Sequence, residues 1–431
     1  MPRTVQLSVE LWQCILRYAI SVPDFLDPNA FDGVMSDALL ADELANRSNE
    51  AAYWLIERHR RSLEQVCKSW YAYLGPFQHR FVRMLDIWHG KIPPASLKHA
   101  VRVSFSRYGC ECLEHCHPEL DQQKRLKSSD SRMLFMLSSK DAIYNDVYSQ
   151  TLNAAGPFDT LEIVDTKEET FGIDYIIKRH QNFQQVKIIL GLDGRDRALS
   201  PFLLTVLPNL RHFYGRHLWL ARFEVAQYVS VIHQSPFDFR KCLARNMVTL
   251  LLTMFYLPGQ DFSSYTLEFP SLRHLRVRCL FGGDSEIFTQ VVIPLLKSSD
   301  YNVRSLYFGS VTGENSMPPG IWELCPRLER LGTETRQICP PPLYHPIHTF
   351  VCPNYVKFTE KMGVFLWPNI QKVVIEYFWG NYNLKRLVSK GGRRIAASKG
   401  IRIEDLGGLS WEEHILLKSE SLKASRSIQT E

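Results

Sequence analysis

The chain has 431 residues, 45% of them hydrophobic and 12% aromatic, and a formal charge of +6 from 51 basic and 45 acidic side chains. That length and apolar content exceed one ordinary compact domain, so two units, or a small unit and an array, are expected. The mild charge is not gathered into a continuous Lys/Arg block, which speaks against nucleic-acid or membrane-surface binding.

Met1-Pro2-Arg3-Thr4 leads directly into an amphipathic stretch containing Glu10, without the apolar core and small-residue cleavage site of a secretory signal. No run approaches the roughly twenty apolar residues that cross a bilayer. The expected location is therefore intracellular, cytoplasmic and/or nuclear. There the 10 cysteines, scattered through aromatic-rich segments, stand as thiols rather than disulfides.

The first predicted element is a helix from about Val9 to about Ile20. Leu7, Leu11, Ile15 and Tyr18, with Trp12, Leu16 and Ala19 beside them, recur at three and four residues and make a wide apolar stripe. Ser8 suits the N-cap, where its hydroxyl accepts from a free backbone amide, and Pro23 follows the end. A second helical run extends from about Asn49 to Tyr73. An acidic, turn-prone segment separates the two.

Leu7-Ser8-Val9-Glu10-Leu11 followed by Ile15, and later Val66-Cys67-Lys68-Ser69-Trp70, resemble the two ends of an F-box, with Ser8 where that family carries Pro and with a long insertion between the halves. The resemblance implies a small helical unit that docks on the Skp-type adaptor of a cullin-RING ubiquitin ligase. It implies that Leu7, Glu10, Leu11, Ile15, Leu16, Val66, Cys67 and Trp70 contribute to that unit. Cys67 and Trp70 fit packing better than docking, whereas Leu7, Leu11 and Ile15 divide evenly between the two roles.

Beyond Lys91-Ile92-Pro93-Pro94 the texture changes. Ala100–Phe105 alternates as a strand does, and residues 107–131 read as an exposed loop. A recurring phrase then sets a chain-turning residue two or three positions before a short apolar run. Examples are Leu207-Pro208-Asn209-Leu210-Arg211-His212-Phe213, Phe269-Pro270-Ser271-Leu272-Arg273-His274-Leu275, Cys325-Pro326-Arg327-Leu328-Glu329-Arg330-Leu331 and Trp367-Pro368-Asn369-Ile370-Gln371-Lys372-Val373. A wide gap near Met247-Val248-Thr249-Leu250 leaves room for a degenerate copy. Proline sets the chain course before each run and alternate side chains turn inward, so one copy cannot bury its apolar face alone. The series is similar to leucine-rich repeats.

The expected fold class is accordingly α/β: a small N-terminal helical F-box-like unit (1–90, with an inserted loop at about 23–48), an irregular leucine-rich-repeat-like solenoid (91–388), and a C-terminal extension (389–431) with a disordered end. The function implied is that of a non-enzymatic substrate receptor in an SCF-type ligase. Candidate substrate contacts are Arg211, His212, Arg273, His274, Arg276, Arg304 and Lys372, with the two histidines read as surface positions of the repeats. The alternative is a leucine-rich-repeat-like interaction scaffold whose F-box-like start no longer binds the ligase. Cys110, Cys112, His115, Cys116 and His117 are possible zinc ligands, but no second ligand pair follows, and an exposed loop with free thiols is the favoured reading. Hydrolase, phosphate-loop and zinc-protease motifs are missing, and no cofactor is expected.

Overall fold

The computed structural model describes residues 8–29, 50–88, 90–105, 152–153, 158–165, 180–193, 207–218, 241–254, 266–279, 288–310, 320–333, 338–352, 363–375, 390–405, 408–410, 412–416 and 419. The chain divides into two compact units. One comprises Met1–Gly33, Ala45–Asp193 and Val206–Leu210; the other comprises Val34–Leu44, Gly194–Thr205 and Arg211–Glu431.

The first unit opens with α1 (Val9–Ala19), capped as its sequence predicts: the Ser8 hydroxyl accepts from the Leu11 N–H at 3.3 Å, with Glu10 in the first turn and Arg17 in the last. Glu10 and Arg17 thus lie at the ends where each complements the helix dipole. A short α2 (Pro23–Leu26) follows, then α3 over 50–64 and α4 (Lys68–Leu74). The single helix expected from about Asn49 to Tyr73 is thus two, because Cys67 takes an extended backbone (φ −161°, ψ 164°) and restarts the chain as the N-cap of α4.

Four strands complete this unit: β1 (Phe81–Arg83), which leads into a short helix α5 (Met84–Trp88), then β2 (Arg102–Ser104), β3 (Ile163–Asp165) and β4 (Ile188–Asp193), the strands parallel and hydrogen-bonded in chain order. Val82, Val103, Val164 and Ile189 occupy one register row and are all buried. Because side chains alternate along a strand, Phe81 and its partner Arg102 point to the opposite face. That face is covered by the helices: Phe25 of α2 and Tyr53 of α3 meet Phe81 edge-on, with ring centroids 4.9 and 5.4 Å away. The Phe81 N–H donates to the Tyr53 hydroxyl, and burial, with Glu57 next in effect, pushes that hydroxyl's pKa up to about 12.

Arg102 fastens the same joint. Its guanidinium lies 4.1 Å from the Phe25 ring centroid, donates to the Phe25 carbonyl at 3.1 Å and pairs with Asp165 at 3.2 Å, with both ion-pair partners buried. The helices and the first strands therefore share one interior.

The second unit carries β5 (His212–Leu218), β6 (Lys241–Leu243), β7 (Thr249–Met254), β8 (Thr266–Glu268), β9 (His274–Cys279), β10 (Ser305–Ser310), β11 (Arg330–Thr333), β12 (Thr349–Cys352), β13 (Lys372–Ile375) and β14 (Arg402–Glu404). Strands β6 and β8 pair with each other; the other eight are hydrogen-bonded in chain order, every pair parallel. Phe213, Leu250, Leu275, Leu306, Leu331, Phe350, Val373 and Ile403 line up in one register row. Parallel neighbours require crossovers, and among the described residues helices stand in three of them. Residues Phe288–Val292 form a wide helical turn that runs into α6 (Ile293–Ser298) before β10, α7 (Ile321–Leu324) precedes β11, and α8 (Lys390–Ser398) precedes β14. Gly400 (φ +67°) closes α8, with the Ile401 N–H returning to the Ala396 carbonyl at 2.8 Å, the six-to-one bond of a left-handed helix stop.

On β7, β9, β10 and β12 the described side chains of both faces are buried over residues 249–252, 274–277, 305–308 and 349–352, as parallel sheets generally are. Opposite the apolar row, His212, Thr249, His274 and Ser305 stand in register at the strand starts and are buried. On the same side Arg276 stacks 3.7 Å from the Tyr307 ring centroid, and Tyr307, Val351 and Val374 form a cluster. Gly332 is what admits the Tyr307 ring: a Cβ there would collide with ring carbon Cδ2.

This architecture corrects the expected one. The individual elements are present: the capped first helix, the strand at Ala100–Phe105 and strands after the Pro-containing phrases, including one starting at Thr249. A free-standing F-box-like helical unit and an irregular leucine-rich-repeat-like solenoid are not what they build. The strands form an all-parallel, sequentially ordered α/β fold with interleaved helices. The physical reason is that a turn followed by a short apolar run specifies the start of a strand in any parallel α/β fold, not one particular architecture. The F-box-like residues likewise specify two helices, α1 and α4, which here pack on each other and on α3 through Leu16, Ile20 and Leu74, while α2 and α3 cover the first strands through Phe25 and Tyr53.

Candidate functional site

In α1 successive residues turn by about 100°, so Trp12, Leu16 and Ile20 form one stripe and Leu11, Ile15 and Tyr18 a second, centred roughly 130° around the helix from the first. The first stripe is largely engaged, with Trp12 at its edge 38% exposed. Leu16 and Ile20 are buried with Leu74 of α4, and Ile56, Leu63, Trp70, Tyr73 and Phe77 pack around them. Trp12 stacks on Trp70 with centroids 5.4 Å apart, the Tyr73 hydroxyl donates to the Gln13 carbonyl at 3.2 Å, and Arg80 donates to the Ile20 carbonyl at 2.7 Å. These contacts fix the rotation of α1 about its own axis.

The support under α1 is itself tied down. Arg60 of α3 is buried, pairs with Glu57 at 2.5 Å and with Glu64, and reaches the Leu74 carbonyl at 3.4 Å, joining α3 to the end of α4.

The second stripe stays in solvent: Leu11 is 47% exposed, Ile15 42% and Tyr18 83%. Val9 at the start of α1, Val66 before α4, Tyr71 on α4 and Leu55 on α3 are exposed as well. Arg17 and Lys68 are exposed cations on these helices. A helix apolar on two sides normally buries both, so the uncovered stripe is the feature that asks for a partner.

Cys67 adds local chemistry. Its exposed thiol lies 3.1 Å from the Ser69 hydroxyl; that contact first, and the Trp70 backbone N–H next, hold its pKa below the ordinary thiol value. Glu10 is held below the usual carboxylate range by its own backbone N–H and then by the Ser8 hydroxyl.

Of the residues singled out from the F-box-like phrases, Glu10, Leu11 and Ile15 lie exposed on α1, and Val66 and Cys67 lie exposed before α4. Leu16 is core and Trp70 is half-buried against Trp12. Leu7 lies outside the described residues. The strand set scatters. Arg211 is half-buried, His212, His274 and Arg276 are buried, and Arg273 is exposed. The exposed Arg304 pairs with Glu329 at 3.4 Å, and Lys372 pairs with Glu404 at 3.0 Å. Burial of His212 and His274 corrects their reading as surface positions. Cys110, Cys112, His115, Cys116 and His117 lie outside the described residues. Among the described residues no cluster of three or more His, Cys, Asp or Glu is placed to hold a metal ion, and no helix is long and apolar enough to cross a membrane.

Sequence reasoning missed Tyr18 as a site residue, although the signal was present. An apolar arc that holds positions 11, 12, 15, 16 and 18 is too wide for one buried contact.

In comparisons with protein-family models, curated proteins and solved structures, nothing matches this chain. The F-box and leucine-rich-repeat resemblance is overturned by the sequentially ordered parallel strands with interleaved helices. The reading built on it, a substrate receptor of an SCF-type cullin-RING ubiquitin ligase or a leucine-rich-repeat-like scaffold, falls with it. Its two working halves were a docking module and a repeat solenoid, and the fold contains neither.

Proposed function

We propose that this chain is a non-catalytic protein-binding protein that inserts the outer face of α1 into an apolar groove of a partner protein. The observation that carries the reading is the second apolar stripe: Leu11, Ile15 and Tyr18 stand at i, i+4 and i+7 on a helix already held in place by the packing of Leu16, Ile20 and Trp12. This is the anchor spacing with which helices seat in grooves. The helix is already folded, capped and rotationally fixed, so little ordering remains to oppose association. A tyrosine in the stripe supplies a large apolar body with a polar tip, the composition of energetic anchors at interfaces.

Site-specific photocrosslinking in cells tests the proposal. With benzoylphenylalanine placed at Tyr18, irradiation yields a discrete adduct with another protein, whereas the same group at buried Tyr53 yields none. The absence of any discrete adduct from both Tyr18 and Leu11 would remove the reading.

A further inference from the structure

Before β12 the chain reads Cys339-Pro340-Pro341-Pro342-Leu343-Tyr344-His345-Pro346. A residue that precedes proline is driven into extended backbone, so 339–341 are extended by sequence alone, and the three prolines offer no N–H. Recognition of such a stretch runs through ring faces and carbonyl oxygens.

The fold pins this segment and leaves its tip outside. Pro341 is buried. The His345 N–H returns to the Pro342 carbonyl at 3.0 Å, closing a turn over residues 342–345. The Asn369 amide donates to the carbonyls of Leu343 and His345, both at 2.9 Å. The His345 ring is buried against Trp322, with centroids 4.9 Å apart and Nε2 at 3.0 Å from the Cys325 carbonyl. On this rigid base Pro340 and Pro342 are exposed, Leu343 is 63% exposed and Tyr344 is 93% exposed.

We infer that this turn is a recognition segment for a proline-reading domain of the WW type. The aromatic-lined groove of such a domain would take the Pro342 ring, and an adjoining pocket the Tyr344 ring. Three observations converge on that partner. Consecutive prolines remove the conformational entropy that an extended ligand loses on binding. The most exposed large apolar side chain in the segment is an aromatic with a hydroxyl tip, two residues after the last proline. From Ile338 to His348 there is no Lys or Arg, so a groove walled by carboxylates, which suits basic proline-rich ligands, gains nothing here. The segment belongs to the second unit and is independent of the docking face on α1.

The test is a titration of the full-length chain against a panel of purified, fluorophore-labelled WW domains, with an SH3 domain alongside. Saturable binding to a WW domain is expected, weakened by roughly thirtyfold in Tyr344→Ala and in Pro342→Ala, the loss typical of truncated interface anchors. Leu343→Ala, between the two anchors, retains binding. Melting curves of the variants matching the unsubstituted chain establish that the fold is intact, and Tyr344 is exposed enough for that to hold. No saturable binding to any WW domain, equal binding by the Tyr344→Ala chain, or binding to the SH3 domain instead would overturn the inference.

Discussion

Helix α1 and strand β10 are both short and apolar, yet the molecule treats them in opposite ways. Residues Ser305–Phe308 of β10 are buried on both faces, the polar Ser305 included. In α1 one stripe is packed and an equally apolar stripe is left in water. Burial of β10 follows from parallel pairing, which needs covering layers on either side. Exposure of Leu11, Ile15 and Tyr18 has no such architectural cause, since the helix is held by its other face. Apolar patterning that the fold does not use for its own stability is the best guide to what the molecule does with other molecules.

That contrast can be broken or sharpened by substitution. The largest effect is expected at Asp165, whose removal strands the Arg102 guanidinium in an interior where neither partner meets solvent. Asp165→Ala should cost about 3–5 kcal/mol in a denaturant titration. Gly332→Ala is next, at roughly 1–3 kcal/mol, because the added methyl must displace the Tyr307 ring and with it the Arg276 stack.

A smaller, pH-dependent effect is expected at His345. Burial holds its pKa below the ordinary imidazole value, only partly opposed by its bond to the Cys325 carbonyl. The Ile347 N–H points at Nδ1 at 3.4 Å, which places the ring proton on Nε2. A histidine whose folded pKa is depressed contributes stability that is complete above the unfolded value, near 6.5, and is lost as pH falls from there through the folded value. The slope is at most about 1.4 kcal/mol per pH unit. Melting temperature against pH should therefore fall more steeply below that point for the native chain than for His345→Gln. Equal slopes would exclude the account of this residue.

At the thiols the expected difference is one of rate. Cys67, exposed with its pKa held down by Ser69, alkylates quickly in the native protein, whereas buried Cys325, pushed up to about 12, reacts only on unfolding. Mass spectrometry of partially alkylated protein reads the order directly.

How far the sequence spoke varies with the scale of the question. Local elements were legible because their determinants are local. Ser8 caps α1, and the prolines at 208, 270, 326 and 368 each precede a strand by a fixed few residues. The break at Cys67 was not legible: the run from Tyr53 to Leu74 keeps helical spacing throughout, and the break is set by Trp70 and Leu74 packing back on α1. The architecture was misread because a phrase that starts a strand says nothing about the sheet that strand joins. The coverage of Phe81 by Phe25 and Tyr53 joins residues that are distant in sequence. The candidate face was half legible. The residues alone divide Leu11 and Ile15 evenly between packing and docking, and the structure leaves both exposed, outside the packed stripe. Burial of His212 and His274 was hidden because alternation fixes which residues share a face but not whether that face is covered.

One preparation decides the central claim most directly. In the double variant Leu11→Asp/Ile15→Asp, the melting temperature and the recovery of the protein captured through Tyr18 are measured side by side. The account predicts stability changed by no more than about 0.5 kcal/mol, as for surface substitutions, together with loss of the partner. A collapse of stability, which would make the stripe part of the core, or full retention of the partner would contradict it.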